Sequence, residues 1–305
     1  MPPLVSVCII TYNHAPYIRQ AVDSVLAQKT DFDFEIIIGE DDSSDDTRSI
    51  VKEYKERHPD KIRLFLNDRK NVIYIDGRPT GRWNFVNCLK HATGKYVALL
   101  EGDDYWTNPA KLQEQVDYLE SHPECVLCFH SVQAVFEDSR REPEIRTPQL
   151  KKEIYTLEDI IKGNFIQTCS VVFRNGLFSD FPKWFYRTPM ADWPLHVLNA
   201  QHGNIGYLEE VMGAYRFHEG GLWSGRSKAN RIKNTIQLYK IFDHHLHGEY
   251  RKILKTKIHQ AYFEIATSLI PLKFEKKIGH LLQKNGLKGI VRFYKKIFHP
   301  IGSRH

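Results

Sequence analysis

The sequence predicts an α/β fold, a mostly parallel sheet flanked by helices with a helical C-terminal extension. Two observations carry that expectation. β-rich apolar runs alternate with helical spacings over about the first 130 residues. Three of those runs end in polar clusters, Thr11 to Asn13, Glu40 to Asp46 and Glu101 to Asp104. In open α/β sheets, ligands bind beyond the carboxyl ends of the strands.

Each element has its own signal. LVSVCII (4–10) reads as a buried strand ending at the polar TYNH. Ile18, Val22, Val25 and Leu26 give residues 15–28 a helical spacing. FEIIIGE (34–40) is a second strand, followed by the acidic loop DDSSDDT and a helix stopped near Pro59. IRLFLN (62–67) is a third strand, and 83–93 a helix with Gly94 as its C-cap. KYVALLEGDDYW (95–106) is a fourth strand running into an acidic loop, and PAKLQEQVDYLESHP is a helix with Pro109 near its start. Residues 137–152 are charged and read as a loop, CSVVFRN (169–175) and GYLEEVMGAYRFH (206–218) as strands, and the chain beyond about 226 as basic helices.

Composition narrows the class. With 305 residues, 42% hydrophobic and 26% charged, the chain is an ordinary globular mixture able to bury a core without disulfides. The net charge of +6 suits a phosphorylated ligand or an anionic surface, and no nucleic-acid partner is expected. The cysteines, Cys8, Cys88, Cys125, Cys128 and Cys169, are odd in number and irregularly spaced, which argues against a disulfide framework. Cys125 and Cys128 form a C-x-x-C without a second ligand pair, and read as buried strand residues rather than a zinc site. The opening MPPLVSVCII lacks the basic region of a signal peptide and no apolar run suffices to span a bilayer, so the expectation is a cytoplasmic protein.

The chemistry sits in the acidic clusters. Glu101, Asp103 and Asp104 crowd one strand end, and adjacent carboxylates repel unless a cation or solvent offsets them. Mg²⁺ and Mn²⁺ take oxygen ligands of this kind together with substrate phosphates, whereas a solvated acidic turn would need no ion. Glu40 and Asp41 end the second strand, where a carboxylate can accept from a base N–H or from ribose hydroxyls. Asp46 or Thr47 can cap the helix that follows.

The stretches VSVCIITYNHAPYIRQAVDSVLAQ, EIIIGEDDSSDDT and GRWNFVNCLKHATGKYVALLEGDDYW together resemble the N-terminal, nucleotide-loop and metal-binding signatures of family-2 glycosyltransferases of the GT-A (Rossmann-like) fold. The resemblance covers about residues 4–225. It implies a catalytic domain at 1–225, with a nucleotide-binding part to about 130 and an acceptor-binding part after it, and a basic helical region at 226–305. It implies a nucleotide-sugar donor, most often a UDP-sugar, a divalent cation (Mn²⁺ or Mg²⁺), and inverting transfer to a glycan or lipid-linked saccharide in surface polysaccharide synthesis. Thr11, Tyr12 and Asn13 then lie beside the base. Glu40 stands where the family has a base-contacting aspartate, with Asp41 following. Arg82 and Asn84 lie near the donor, Asp103 holds the metal, and Glu101 replaces the motif's first aspartate. Asp192 in MADWPLH resembles the catalytic base, although Ala191 stands where an acidic residue usually precedes it, and a helix N-cap is the alternative reading. Asp104, Trp193 and Trp223 fall to the acceptor side and lid, and His218 in YRFHEGGLWS can reach the metal or the diphosphate.

Two rivals remain at this level. A sugar-nucleotide nucleotidyltransferase would show a Gly-rich basic loop where this chain has TYNHAPY. An inactive sugar- or nucleotide-binding homologue would not need Asp103 and Asp192. Residues 273–304 carry nine Lys or Arg among apolar residues at helical spacings. Both a packed helix pair and peripheral contact with the anionic inner face of the cell membrane fit that pattern.

Overall fold

A computed structural model describes residues 2–75, 77–137, 141–148, 151–218, 220–221, 226–246 and 248–268. Trp223 and the tail 273–304 lie outside the described residues. The chain divides into two compact units, Met1–Gly221 and Leu222–His305.

In the first unit the elements run β1 (Val5–Thr11), α1 (Ile18–Leu26), β2 (Phe34–Glu40), α2 (Thr47–Arg57), β3 (Ile62–Leu66), β4 (Ile73–Ile75), β5 (Arg78–Thr80), α3 (Arg82–Lys90), β6 (Tyr96–Glu101), β7 (Tyr105–Trp106), α4 (Lys111–Ser121), β8 (Cys125–Phe136), β9 (Glu144–Arg146), β10 (Ile154–Tyr155), α5 (Leu157–Ile161), β11 (Val172–Arg174), α6 (Asp192–Ala200) and β12 (Asn204–Phe217). The sheet order is β10-β12-β8-β11-β6-β1-β2-β3, with β7 on β12 and β9 on β8. β3, β2, β1 and β6 are mutually parallel. β11 is antiparallel to β6 and β8. β12 runs parallel to β8 through register shifts, and β4 and β5 form a separate hairpin.

Burial explains the elements. β1 and β2 are covered on both faces, so they read as near-continuous apolar runs. α1 buries Ile18, Ala21, Val22 and Val25, and α2 buries Thr47, Ile50, Val51 and Tyr54, the same i, i+3, i+4, i+7 stripe in each. All five cysteines are free and buried, as strand and helix packing residues.

Several local expectations change. The predicted 95–106 strand divides into β6 and β7 around the acidic turn. The predicted loop at 137–152 contains β9, which pairs with β8. Gly94 does not cap α3, whose C-cap is His91. A Cβ at Gly94 would lie 2.7 Å from Ser6 N and 2.8 Å from Val5 C, so glycine is there for the close approach to β1.

The second unit pairs α7 (Lys228–His245) with α8 (Arg251–Ser268). Ile232, Ile236, Ala261 and Ile265 form their buried seam. Among the described residues no helix is long and apolar enough to cross a membrane.

Candidate active site

Strand register brings the polar clusters together. Thr11 pairs with Glu40 and Ile10 with Glu101, so the ends of β1, β2 and β6 lie side by side. The loops that leave them are laced. Asp41 N donates to Thr11 O (3.1 Å), Asn13 N to Ser43 Oγ (2.8 Å), Ser44 N to Asn13 Oδ1 (2.8 Å), and His14 N to Thr47 Oγ1 (2.8 Å). Asn13 and Asp42 take φ of 53° and 60°, a region Asn and Asp tolerate better than other side chains. Asp45, not Asp46, supplies the side-chain oxygen at the start of α2, accepting from Thr47 N at 3.0 Å.

Glu101, Asp103 and Asp104 turn toward one another, with one carboxylate oxygen from each within 4.8 Å of the others. Gly102 permits the turn to close on β1: a Cβ there would stand 2.6 Å from Thr11 Oγ1 and 2.9 Å from His14 Nδ1. Asp103 Oδ2 accepts from His218 Nε2 at 3.0 Å and lies 3.7 Å from His14 Nε2. Asp104 Oδ1 accepts from Arg216 N at 2.9 Å, and Arg216 Nε donates to Asp103 O at 2.9 Å. Among the described residues, the second oxygens, Asp103 Oδ1 and Asp104 Oδ2, are buried without a close hydrogen-bond partner, and the Cys169 thiol lies near Asp104.

The electrostatics follow from this crowding. Burial, then Asp103 and Asp192, push Glu101 up to about 8. Burial, then Asp103 and Glu101, push Asp104 well above the carboxylate range. Burial would raise Asp103 too, but the His218 hydrogen bond and the nearby His14 outweigh it and hold Asp103 low. His218 is raised in return by that hydrogen bond. Clustered oxygens, two of them orphaned, beside an imidazole form a donor set that fits a hard divalent cation.

Across from this cluster, Asp192 is the first residue of α6. Ala191 occupies the N-cap position and no side-chain cap bond forms. Asn164 Nδ2 donates to Asp192 Oδ2 at 2.9 Å, and Asn164 Oδ1 accepts from Ile166 N at 3.1 Å, which fixes the amide's orientation. Burial raises Asp192, against the opposing pull of Arg82. Arg82 is itself buried, lies 4.8 Å over the Phe185 ring and donates to Thr188 O at 2.8 Å. Its Nε and Nη1 have no hydrogen-bond partner among the described residues. Burial lowers it to about 10. Asp192 also acts electrostatically on Glu101, so its carboxylate lies near the acidic turn, with the Arg82 guanidinium near Asp192.

The family model for "Glycosyl transferase family 2" matches residues 6–180. The chain belongs to this family. It is 39% identical over 219 residues to an uncharacterised protein of Mycobacterium tuberculosis, covering 72% of this chain and 60% of that one, so it spans about three fifths of that relative's length. It is 27% identical to the GalNAc(5)-diNAcBac-PP-undecaprenol beta-1,3-glucosyltransferase of Campylobacter jejuni, over 87% of this chain and 82% of the other. Among solved structures, S. aureus TarS 1-349 in complex with UDP-GlcNAc aligns with TM-score 0.56 at 16% identity, over 100% of this chain and 93% of TarS. The mannosyltransferase PcManGT of Pyrobaculum calidifontis, in complex with GDP-Man and Mn²⁺, aligns with TM-score 0.60 at 16% identity, over 98% and 88%. At such identities the structures establish the shared GT-A fold.

Within this family-2 glycosyltransferase chain, the expected site residues part into two groups. Thr11, Glu101, Asp103, Asp104 and His218 meet at the acidic turn. Others are committed to the scaffold. Glu40 is fully buried, accepts from Ser43 N at 2.6 Å and is clasped by Arg48 Nε. The neighbouring Asp41 is engaged less, with Arg69 Nη1 3.8 Å away, and burial pushes it up to about 6. Arg69 also lies 4.7 Å over the ring of Tyr12, which is 38% exposed. Asn84 is turned into the core, donating to Gly39 O (2.7 Å) and accepting from Asn67 Nδ2 (2.8 Å). Trp193 is buried with its indole N–H donating to Ile160 O at 2.8 Å. The sequence reading did not single out His14, Asn164 or Arg216. Arg216 precedes His218 by two residues at the end of β12, so the strand alternation was a usable signal for it.

Proposed function

We propose that this chain is an inverting, metal-dependent glycosyltransferase that moves a sugar from a nucleoside diphosphate donor to an acceptor hydroxyl. The observation that carries the reading is the meeting of Glu101, Asp103 and Asp104 at one strand end, with Asp192 acting electrostatically on the same cluster. Asp103, with Glu101 and His218, would hold a divalent cation, which when bound supplies positive charge against the departing diphosphate. Asp192 accepts the proton of the acceptor hydroxyl. The hydroxyl oxygen bonds to the anomeric carbon as its bond to the diphosphate oxygen breaks on the opposite face. Asn164 holds Asp192 in place, and Arg82 favours its ionised form.

Base recognition falls to Asp41 rather than Glu40, because Glu40's carboxylate is already occupied by Ser43 and Arg48. A carboxylate there can accept from a base N–H, and a UDP-sugar is the donor we propose because family-2 enzymes most often use one. Tyr12, backed by Arg69, offers the flat face against which a base packs. The acceptor is a glycan or lipid-linked saccharide of a surface polysaccharide, consistent with the name of the Campylobacter jejuni relative. On this reading the reaction runs at the inner face of the cell membrane.

A panel of UDP- and GDP-sugars tested for donor hydrolysis and transfer, with Mn²⁺, Mg²⁺ or EDTA, tests the proposal. One donor should turn over, and EDTA or Asp103→Ala should abolish turnover. The product anomer, read by NMR, should be inverted. Full activity in EDTA overturns the role of the metal, and retention of configuration overturns the single displacement.

A further inference from the structure

Behind the acidic turn lies a second polar cluster that the proposed chemistry does not use. Lys111, the first residue of α4, is fully buried. Its Nζ stands 3.9 Å from the centroid of the Trp106 ring and, among the described residues, makes no hydrogen bond. Its electrostatic neighbours are the thiols of Cys128 and Cys169 and the imidazole of His130. Gln115 lies one turn along α4, donates to Ser170 O at 2.9 Å and to Cys128 O at 3.3 Å, and leaves Oε1 unpartnered. His130 Nδ1 meets Ser131 O at 2.7 Å and leaves Nε2 unpartnered.

An ammonium group without a hydrogen-bond partner is among the most costly groups to bury, and burial lowers Lys111 to about 7, so the group is a full cation only below neutral pH. An apolar chain of equal length would fill the same space at lower cost. Such breaches of packing logic concentrate where function demands them. Trp106 shows where the demand lies. It follows the acidic turn by two residues, and its indole N–H donates to Cys169 O at 2.9 Å. Its backbone N donates to Ser24 Oγ at 3.1 Å, and it pairs with Gly213 of β12. The same β7–β12 pairing sets Tyr105 against Ala214, two residues before Arg216, which grips Asp104 Oδ1 and Asp103 O. Trp106 is therefore the joint between the acidic turn and β12. A desolvated cation on the face of a tryptophan is one of the stronger forms of cation–π attraction.

We infer that Lys111 is a positioning residue: its ammonium group, seated on the Trp106 ring, holds the acidic turn in register with β12, so that Asp103 and Asp104 keep their places beside Arg216 and His218. The metal-binding consequence rests on the proposed function, while the structural consequence does not.

The test uses the full chain at pH about 6, where Lys111 carries its proton, and Lys111→Met, which keeps the length and an aromatic contact but removes the charge. The variant should melt at or above the wild-type temperature, because a buried unpaired charge has gone. Hydrogen–deuterium exchange at the amides of Asp104, Trp106 and Thr107 should nonetheless be faster by about tenfold, with the rest of the sheet unchanged. Mn²⁺ binding, read by the EPR signal of the free ion, should weaken by about tenfold, the usual scale for losing a residue that supports a metal ligand. If Lys111→Met does not fold, Trp106→Phe carries the test, since it weakens the cation–π contact and drops the indole donor. The same local exchange and the same weakening are then expected. Unchanged exchange at those amides overturns the inference. So does exchange that rises evenly through the sheet in step with a lower melting temperature, which would make Lys111 an ordinary core residue. A wild-type chain that binds no Mn²⁺ removes the proposed metal chemistry, and the exchange comparison still decides the role of Lys111.

Discussion

Replacing Asn84 with alanine separates a scaffold role from a donor-binding one. The side chain is fully buried, and its amide bridges Gly39 O at 2.7 Å and Asn67 Nδ2 at 2.8 Å. Alanine leaves a buried carbonyl and a buried amide without partners, at about 1–3 kcal/mol each. The sum is about 2–6 kcal/mol. For a unit of roughly 150–250 residues each kcal/mol moves the melting temperature by about 2–4 °C, so a fall of about 4–24 °C is expected. Thermal melts followed by circular dichroism, with a nucleotide titration on the same samples at low temperature, measure both effects. The titration should be close to wild type wherever the variant is folded. A melting temperature within about 2 °C of wild type, the shift expected of a roughly 0.5 kcal/mol surface change, together with weak nucleotide binding, would refute the reasoning and return Asn84 to the donor pocket.

Three further changes test the site. Asp192→Asn should lower the rate by about a hundredfold or more and leave donor binding intact. Because burial raises Asp192, wild-type activity should fall away as pH drops through a value above the ordinary carboxylate range, and a flat profile down to pH about 4 would count against the assignment. Asp41 is raised from 3.8 to about 6, so the folded state binds its proton more tightly than the unfolded chain; the stability it offers is present at low pH and is lost as pH rises to about 6. Asp41→Asn should therefore stabilise the protein at pH 7 by up to about 3 kcal/mol, from two units at about 1.4 kcal/mol each, with no gain below pH about 4, while weakening nucleotide binding. An equal gain at both pH values would exclude titration as the cause. Gly102→Ala places a Cβ 2.6 Å from Thr11 Oγ1 and should cost about 1–3 kcal/mol, and an unchanged melt would show that the turn relaxes freely.

The sequence reveals the elements whose signals are local and conceals those that depend on partners. β1, β2, α1 and α2 each carry a full period of apolar positions, and their predicted and observed limits agree within a few residues. β8 extends to Phe136 because β12 pairs along its whole length and β9 along Val132–Ala134. Nothing local announces that pairing. β9 itself is three exposed residues, Glu144–Arg146, in a charged stretch, and exists as a strand only through β8.

The same division runs through the site. Asp103 and His218 are 115 residues apart and meet because β7 joins β12, a contact that the motif pattern signalled without explaining. Motif position could not reveal which carboxylate remains available. Glu40 and Asp41 are adjacent acids at one strand end, equal in the sequence as acceptors. The fold makes them unequal: Glu40 meets Ser43 N and Arg48, and Arg48 is held by Asn67 O at 2.7 Å and by Asp42 at 3.1 Å. Asp41 is left with one guanidinium at 3.8 Å and a raised affinity for its proton. A carboxylate whose lone pairs are already filled gains little from a ligand, whereas one held away from water without full compensation gains from a well-placed donor. If, as proposed, the acid with the fewer partners is the one that meets the base, Asp41→Asn, and not a change at Glu40, should trade binding for stability.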